Sequence, residues 1–297
     1  MARGSLCISI DVELAWGIWD KPSAAYHARC AEHEEAIVKG LIALFERFDV
    51  GATWAFVGRL LELDEAAAQS TSWGAQIWYA PALVELVRAA RTPQDIGSHS
   101  YAHVYFGATP RDALRGDLAA ARRVHDRHGL PFCSFVFPRN QVAHVDLLRE
   151  AGVRVFRSVD HGWHMAVARR LGKRAGRVAN LADKMLPVPP AVVEPIVHAT
   201  ERGDIVELPS SMLLMARNGL RRAVPPASVV AKARLGLAAA RRTGGTFHLW
   251  FHPSNFYYEP ERQLATLGAI VEAAARMRDH GDIDIRPMSS FARAGSR

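Results

Sequence analysis

The chain has 297 residues, 49% hydrophobic and 23% charged, the balance of a globular protein with a large core rather than of a disordered or fibrous one. Its net charge is +7, and it contains no apolar run of the ~18 residues a membrane span needs, nor the apolar segment of a secretory signal. Three scattered cysteines, Cys7, Cys30 and Cys133, exclude a disulfide framework and fit a reducing compartment, so a cytoplasmic location is expected.

Leu6 to Asp11 is a buried-strand run that ends in a carboxylate. From Glu32 to Phe48, apolar residues at Ile37, Val38, Leu41, Ile42, Leu44 and Phe45 predict a helix. Ala52–Val57 reads as a second strand, followed by a loop with Trp73, Trp78 and Tyr79 and a helix over 81–90 opened by a proline. A short strand over 94–98 leads into His99-Ser100-Tyr101-Ala102-His103. Read as one helical turn, this stretch places its two imidazoles on the same face, where they can close on one metal ion.

A helix over 111–128 ends at Gly129 and Pro131, and strand 133–137 runs into Pro138-Arg139-Asn140-Gln141. Helix 142–151 and strand 153–157 follow. Prolines and basic residues break every period from Ser158 to Gly203, which reads as an insertion. Strand 204–208, helix 228–242, strand 246–251, helix 261–280 and strand 283–285 complete the chain. Strand and helix alternate throughout, so parallel strands joined by crossover helices are expected, without a linker that would split the chain. The expected architecture is an irregular (β/α)7–8 barrel with outer helices, one domain over 1–297 with the insertion at about 158–203.

In such barrels chemistry sits at the carboxyl ends of the strands. Four of those ends carry reactive groups: Asp11 with Glu13, His99 with His103, Arg139, and His252. Asp11 and Glu13 lie two residues apart, on one side of an extended chain, so that one could bind metal while the other acts as a base. Arg139 could hold a carboxylate through two parallel hydrogen bonds, or cap its strand and face water. In Thr246–Pro253, His248, Trp250 and His252 share one face; His252 stands at the mouth, suited to proton delivery, and His248 lies deeper as a hydrogen-bonded core residue.

The charge is unevenly placed. No acidic residue lies between Glu207 and Glu259, while Arg217, Arg221, Arg222, Lys232, Arg234, Arg241 and Arg242 do. A second cluster comprises Arg169, Arg170, Lys173, Arg174 and Arg177. Such patches either face water or meet an anionic partner, a phosphate-bearing substrate or a lipid surface; without a nucleic-acid motif, nucleic acid is not expected.

Taken together these motifs resemble the polysaccharide deacetylases (NodB homology, carbohydrate esterase family 4) over about Leu6 to Phe256. His99-Ser100-Tyr101-Ala102-His103 is similar to the family's His-Ser/Thr-x-x-His motif, and Leu249-Trp250-Phe251-His252 to its terminal hydrophobic-His motif. The first motif, usually Thr-Phe-Asp-Asp-Gly, is here Ser9-Ile10-Asp11-Val12-Glu13, an Asp-x-Glu variant, and Pro138-Arg139-Asn140 departs from the usual Arg-Pro-Pro.

The resemblance implies a divalent ion, zinc first, held by Glu13, His99 and His103. It also implies Asp11 as base, Arg139 holding Asp11, and His252 as acid. It implies hydrolysis of an N-acetyl or similar acyl group on an amino sugar of a surface polysaccharide or its precursor. For a cytoplasmic enzyme that precursor would be nucleotide-linked or lipid-diphosphate-linked, with weak contact between the basic 208–258 stretch, led by Met212–Met215, and the inner membrane face. Trp16, Trp19, Trp73, Trp78, Tyr101 and Trp163 fall in loops on the expected site side. The alternatives are a metal-independent amidohydrolase of the same superfold acting on a small cyclic amide, and a catalytically inactive sugar-binding protein.

Overall fold

The structure is a computed structural model, which describes residues 3–62, 75–159, 170–172, 174–176, 179, 183 and 188–293. Much of the first half of the expected 158–203 insertion, with Trp163, Arg169, Lys173 and Arg177, lies outside these residues, as does Trp73.

In chain order the elements are β1 (Gly4–Val12), α1 (Ala24–Phe48), β2 (Thr53–Phe56), α2 (Pro81–Arg88), β3 (Asp95–Ser98), α3 (Arg111–Arg127), β4 (Ser134–Val136), α4 (Val145–Glu150) and β5 (Val155–Ser158). They continue with β6 (Ile196–His198), β7 (Ile205–Pro209), β8 (Met212–Leu213), α5 (Pro226–Thr243), β9 (Thr246–Phe251), α6 (Pro260–Asp279) and β10 (Ile283–Ile285). One sheet runs β6-β7-β5-β4-β3-β2-β1-β9-β8, with β10 also on β1; every pairing is parallel except β6 with β7.

Only two residues separate β7 from β8. The extended segment therefore pairs with β5 at one end and with β9 at the other, linking the two ends of the curled sheet. The result is the expected irregular parallel barrel with outer helices.

β1 is the central strand and is buried along its whole length, because it carries neighbours on both edges and side chains on both faces. Its outer face joins α1 and α6 in the main core, with Trp54 and Phe45 meeting edge to face. A second core of Phe106, Phe135, Phe137 and Phe156 packs under α3 and α4, its rings 5.0–5.5 Å apart in edge contacts. All three cysteines are free.

The helix expected from Glu32 begins eight residues earlier. Ser23 caps it by accepting the Tyr26 N–H, and its inward stripe starts with His27, Cys30 and Glu34. An apolar-only pattern does not register that stripe, since two of those buried residues are polar. The helix expected over 142–151 forms only as Val145–Glu150, because Asn140 and His144 adopt left-handed backbone.

Four of the seven cations of the basic 208–258 stretch meet acids from elsewhere in the chain. Arg217 and Arg222 meet Glu259, Lys232 meets Asp183, and Arg241 meets Asp282. Of Met212–Met215, expected against a membrane, Met212 and Leu214 are buried and Leu213 and Met215 are half-buried. Among the described residues no helix is long and apolar enough to cross a bilayer.

Candidate active site

The parallel strands bring their carboxyl ends to one rim. At the end of β1, Asp11 still lies in the strand, and Glu13 is the residue at which the chain turns into the 3₁₀ segment Leu14–Ile18. That turn folds back over the Glu13 side chain. A Cβ on Gly17 would stand 2.2 Å from Glu13 Oε1, so only glycine lets the backbone cradle the carboxylate this closely.

The two histidines do not sit on a helical turn as expected. β3 ends at Ser98, and Ser100 (φ 62°) and His103 (φ 54°) are left-handed, so the segment is an irregular loop. Buried Asp117 of α3 holds it by accepting the N–H groups of Tyr101 and Ala102, each at 2.9 Å. The imidazoles converge all the same, their centroids 5.0 Å apart.

His99 Nδ1 lies 2.8 Å from the Val136 carbonyl, which can only accept; Nδ1 therefore carries the proton, and Nε2 faces the site with its lone pair. His99 Nε2 and His103 Nε2 stand 3.4 and 3.0 Å from Glu13 Oε2, yet both are buried without a well-aligned hydrogen bond. Burial pushes the His103 pKa down and outweighs the pull of Glu13, so its imidazole is biased toward the neutral form. Lone pairs and a carboxylate gathered this way repel unless a cation lies among them. One ligand atom from each of Glu13, His99 and His103 falls within 4.8 Å of the others, and this donor set suits a divalent metal ion.

The expected pairing of Arg139 with Asp11 does not occur. Arg139 lies in left-handed backbone at the mouth, bonded to the Gly17 carbonyl at 2.7 Å and to Asp20 at 3.0 Å. Its turn away from the barrel leaves the inner position to Arg157 of β5, fully buried, whose guanidinium meets both Asp11 oxygens at 2.6 Å. Arg157 also bonds Ser9 at 3.0 Å and Asn140 Oδ1 at 3.1 Å, and its carbon stands 4.2 Å from the Trp250 ring centroid. Burial raises the Asp11 pKa, but the Arg157 charge, followed by His252, overcomes this and leaves it below the ordinary value.

A faint signal for Arg157 was present in the sequence: with Val155 it shares the inward parity of a buried strand, where an arginine demands an anion.

His252 precedes Pro253 in extended backbone, its N–H held by Asn255 Oδ1 at 2.9 Å. Its Nε2 stands 3.6 Å from Asp11 and 3.5 Å from Glu13. Behind it His248 bonds Ser9 at 2.9 Å and the Pro209 carbonyl at 3.1 Å, and burial lowers its pKa to about 3, a neutral core imidazole. A cavity of about 540 Å³ opens over Asp11, Glu13, His99, Asn140 and His252.

No protein-family model matches the chain, and no curated protein matches it in sequence. Its structure is similar to those of two proteins assigned as polysaccharide deacetylases. The one from Mycobacterium smegmatis matches with TM-score 0.72 and 18% identity over 99% of this chain and 91% of that one. The one from Pseudomonas aeruginosa PAO1 matches with TM-score 0.65 and 13% identity over 98% and 90%. The allantoinase Puue is similar too, with TM-score 0.65 and 14% identity over 98% and 90%. The fold is therefore the NodB-homology fold of the polysaccharide deacetylases and carbohydrate esterase family 4. The allantoinase shares it, so the fold alone does not choose the substrate.

Proposed function

We propose that this chain is a metal-dependent hydrolase that removes an N-acetyl or similar acyl group from an amino sugar of a surface polysaccharide or its precursor. The convergence of Glu13, His99 and His103 beside Asp11 and His252 carries this reading. One carboxylate and two imidazoles favour zinc over a harder cation. When bound, such an ion supplies a Lewis acid for the substrate carbonyl and acidifies a water.

The residues supply the remaining chemistry. Asp11 takes the water proton. Arg157 occupies one lone pair on each Asp11 oxygen and keeps the group ionised, which leaves the other lone pairs free to accept. His252, beside both carboxylates at the cavity wall, delivers a proton to the departing nitrogen, a poor leaving group without it. A metal-free enzyme acting on a cyclic amide would have no use for the Glu13, His99 and His103 set. An inactive sugar-binding protein would not need Asp11 and His252 in facing positions.

Elemental analysis beside an acetate-release assay on N-acetylglucosamine oligomers tests the reading. The expected result is about one zinc per chain, acetate release abolished by chelation and restored by zinc, and no metal in His99→Ala. Undiminished release from metal-free protein would favour the metal-independent reading; neither metal nor release would favour a binding protein.

A further inference from the structure

A second cleft, of about 210 Å³, lies beside the catalytic cavity. Its walls are mostly apolar: Met212 and Leu214 from the β8 segment, Val224, Val229 of α5, and Trp250 of β9. Trp250 ties the two spaces together, because its ring bears Arg157, the partner of Asp11, and stands 5.6 Å from the His252 ring. Arg221 borders both spaces.

The other cations at these walls are committed. Arg217 is held by Glu259, Lys232 by Asp183 and Arg139 by Asp20. Among the described residues Arg221 has no acidic partner, and it sits exposed on the 3₁₀ turn Gly219–Ala223. Next to it Leu220 is 87% exposed, a large apolar side chain standing in water at the rim of an apolar cleft. An unpaired cation at the junction of a polar catalytic cavity and an apolar cleft matches a ligand with the same order of parts: polar head, anion, hydrocarbon.

We propose that this cleft seats the hydrocarbon chain of an anionic amphiphile. A phosphate at Arg221 would join that chain to the acylated sugar in the catalytic cavity, and Leu220 would rest against the apolar phase from which the chain is drawn. The identity of the head group rests on the hydrolase reading above; the seat for phosphate and chain does not.

Titration calorimetry of the full chain with octyl phosphate, kept below its micelle concentration, tests this directly. Inorganic phosphate, octanol and UMP serve as comparisons. Octyl phosphate should bind once per chain and at least about tenfold tighter than any of the three, since charge-assisted bonding and apolar burial add. Arg221→Ala should weaken it about tenfold while leaving octanol unchanged. Val229→Trp and, at another residue of the cleft wall, Met215→Trp, checked for native melting, should each abolish it by filling the cleft.

UMP or inorganic phosphate binding as tightly as octyl phosphate would overturn the proposal in favour of a nucleotide or simple anion site. Absence of binding, or indifference to all three substitutions, would overturn it outright. No hydrolysis is read, so a chain that binds octyl phosphate but releases no acetate would fail the hydrolase reading and keep the cleft.

Discussion

Two arginines at the rim do different work because of backbone conformation. Arg139 is turned outward and partly exposed at Asp20, whereas Arg157 is locked inside on Asp11. Replacing Arg157 by lysine removes the planar fork that meets both carboxylate oxygens, so kcat should fall by up to ~10²-fold while bound metal is retained. Arg139→Ala should instead alter KM, with kcat within a few-fold. Steady-state kinetics separates them, and equal kcat losses would place both arginines at the reacting group. Asp11→Asn should keep its metal and lose ~10²–10⁴-fold in turnover, as should His252→Ala; Glu13→Ala should lose the metal. Reversed metal contents for Asp11→Asn and Glu13→Ala would make Asp11 the ligand.

At the scale of elements, the turn after β1 and the helix that follows it each carry a test. Gly17→Ala would place a Cβ onto the end of the Glu13 side chain, which can swing aside without unfolding the barrel. We therefore expect native melting in the metal-free state but metal affinity lowered ~10–100-fold, the usual cost of disturbing the support of a ligand. Competition against a zinc indicator reads this, and unchanged affinity would mean Glu13 is not a ligand.

On α1, Glu34 is 4% exposed, accepts from the Tyr257 hydroxyl, and leaves Oε1 without a partner. Burial raises its pKa from 4.5 to about 7, against the Tyr257 hydrogen bond and with Glu13 adding to the rise; Cys30 and Tyr26 are the other titratable groups nearby. Since the folded state holds this proton more tightly, stability falls as pH climbs from about 4.5 to 7 and stays reduced above. Glu34→Gln lacks that penalty. In denaturant unfolding its advantage over the wild type should grow by roughly 2 kcal/mol from pH 5 to pH 8. A difference that is flat with pH would show that Glu34 titrates normally.

For the molecule as a whole, a bound ion is also a cross-link. Glu13, His99 and His103 come from the ends of two strands, so a ligand that binds only the folded chain stabilises it by about 2.7 kcal/mol at a hundredfold excess over Kd. Chelation should lower the melting temperature by a few degrees and zinc should restore it, whereas His99→Ala should melt alike in both. Equal melting of the wild type with and without chelator would argue against a metal at this centre.

Much of this was legible in the linear chain. Alternating strand and helix signals define a parallel sheet, and in such a sheet reactive residues at strand ends share one rim, so Asp11, Glu13, His99, His103 and His252 could be proposed together. Those inferences need only local periodicity and one rule of topology. What the tertiary structure alone decided is which partner each group meets. The loop carrying the histidines is shaped by Asp117 from another helix, and the arginine on Asp11 comes from β5 rather than from the motif beside β4. Four of the cations in the acid-free stretch proved to pair with Glu259, Asp183 and Asp282, one of them distant by 49 residues. Charges pair across space at 3–4 Å, a distance unrelated to sequence separation, so neither the position of a guanidinium in a motif nor the charge of a segment predicts what it holds.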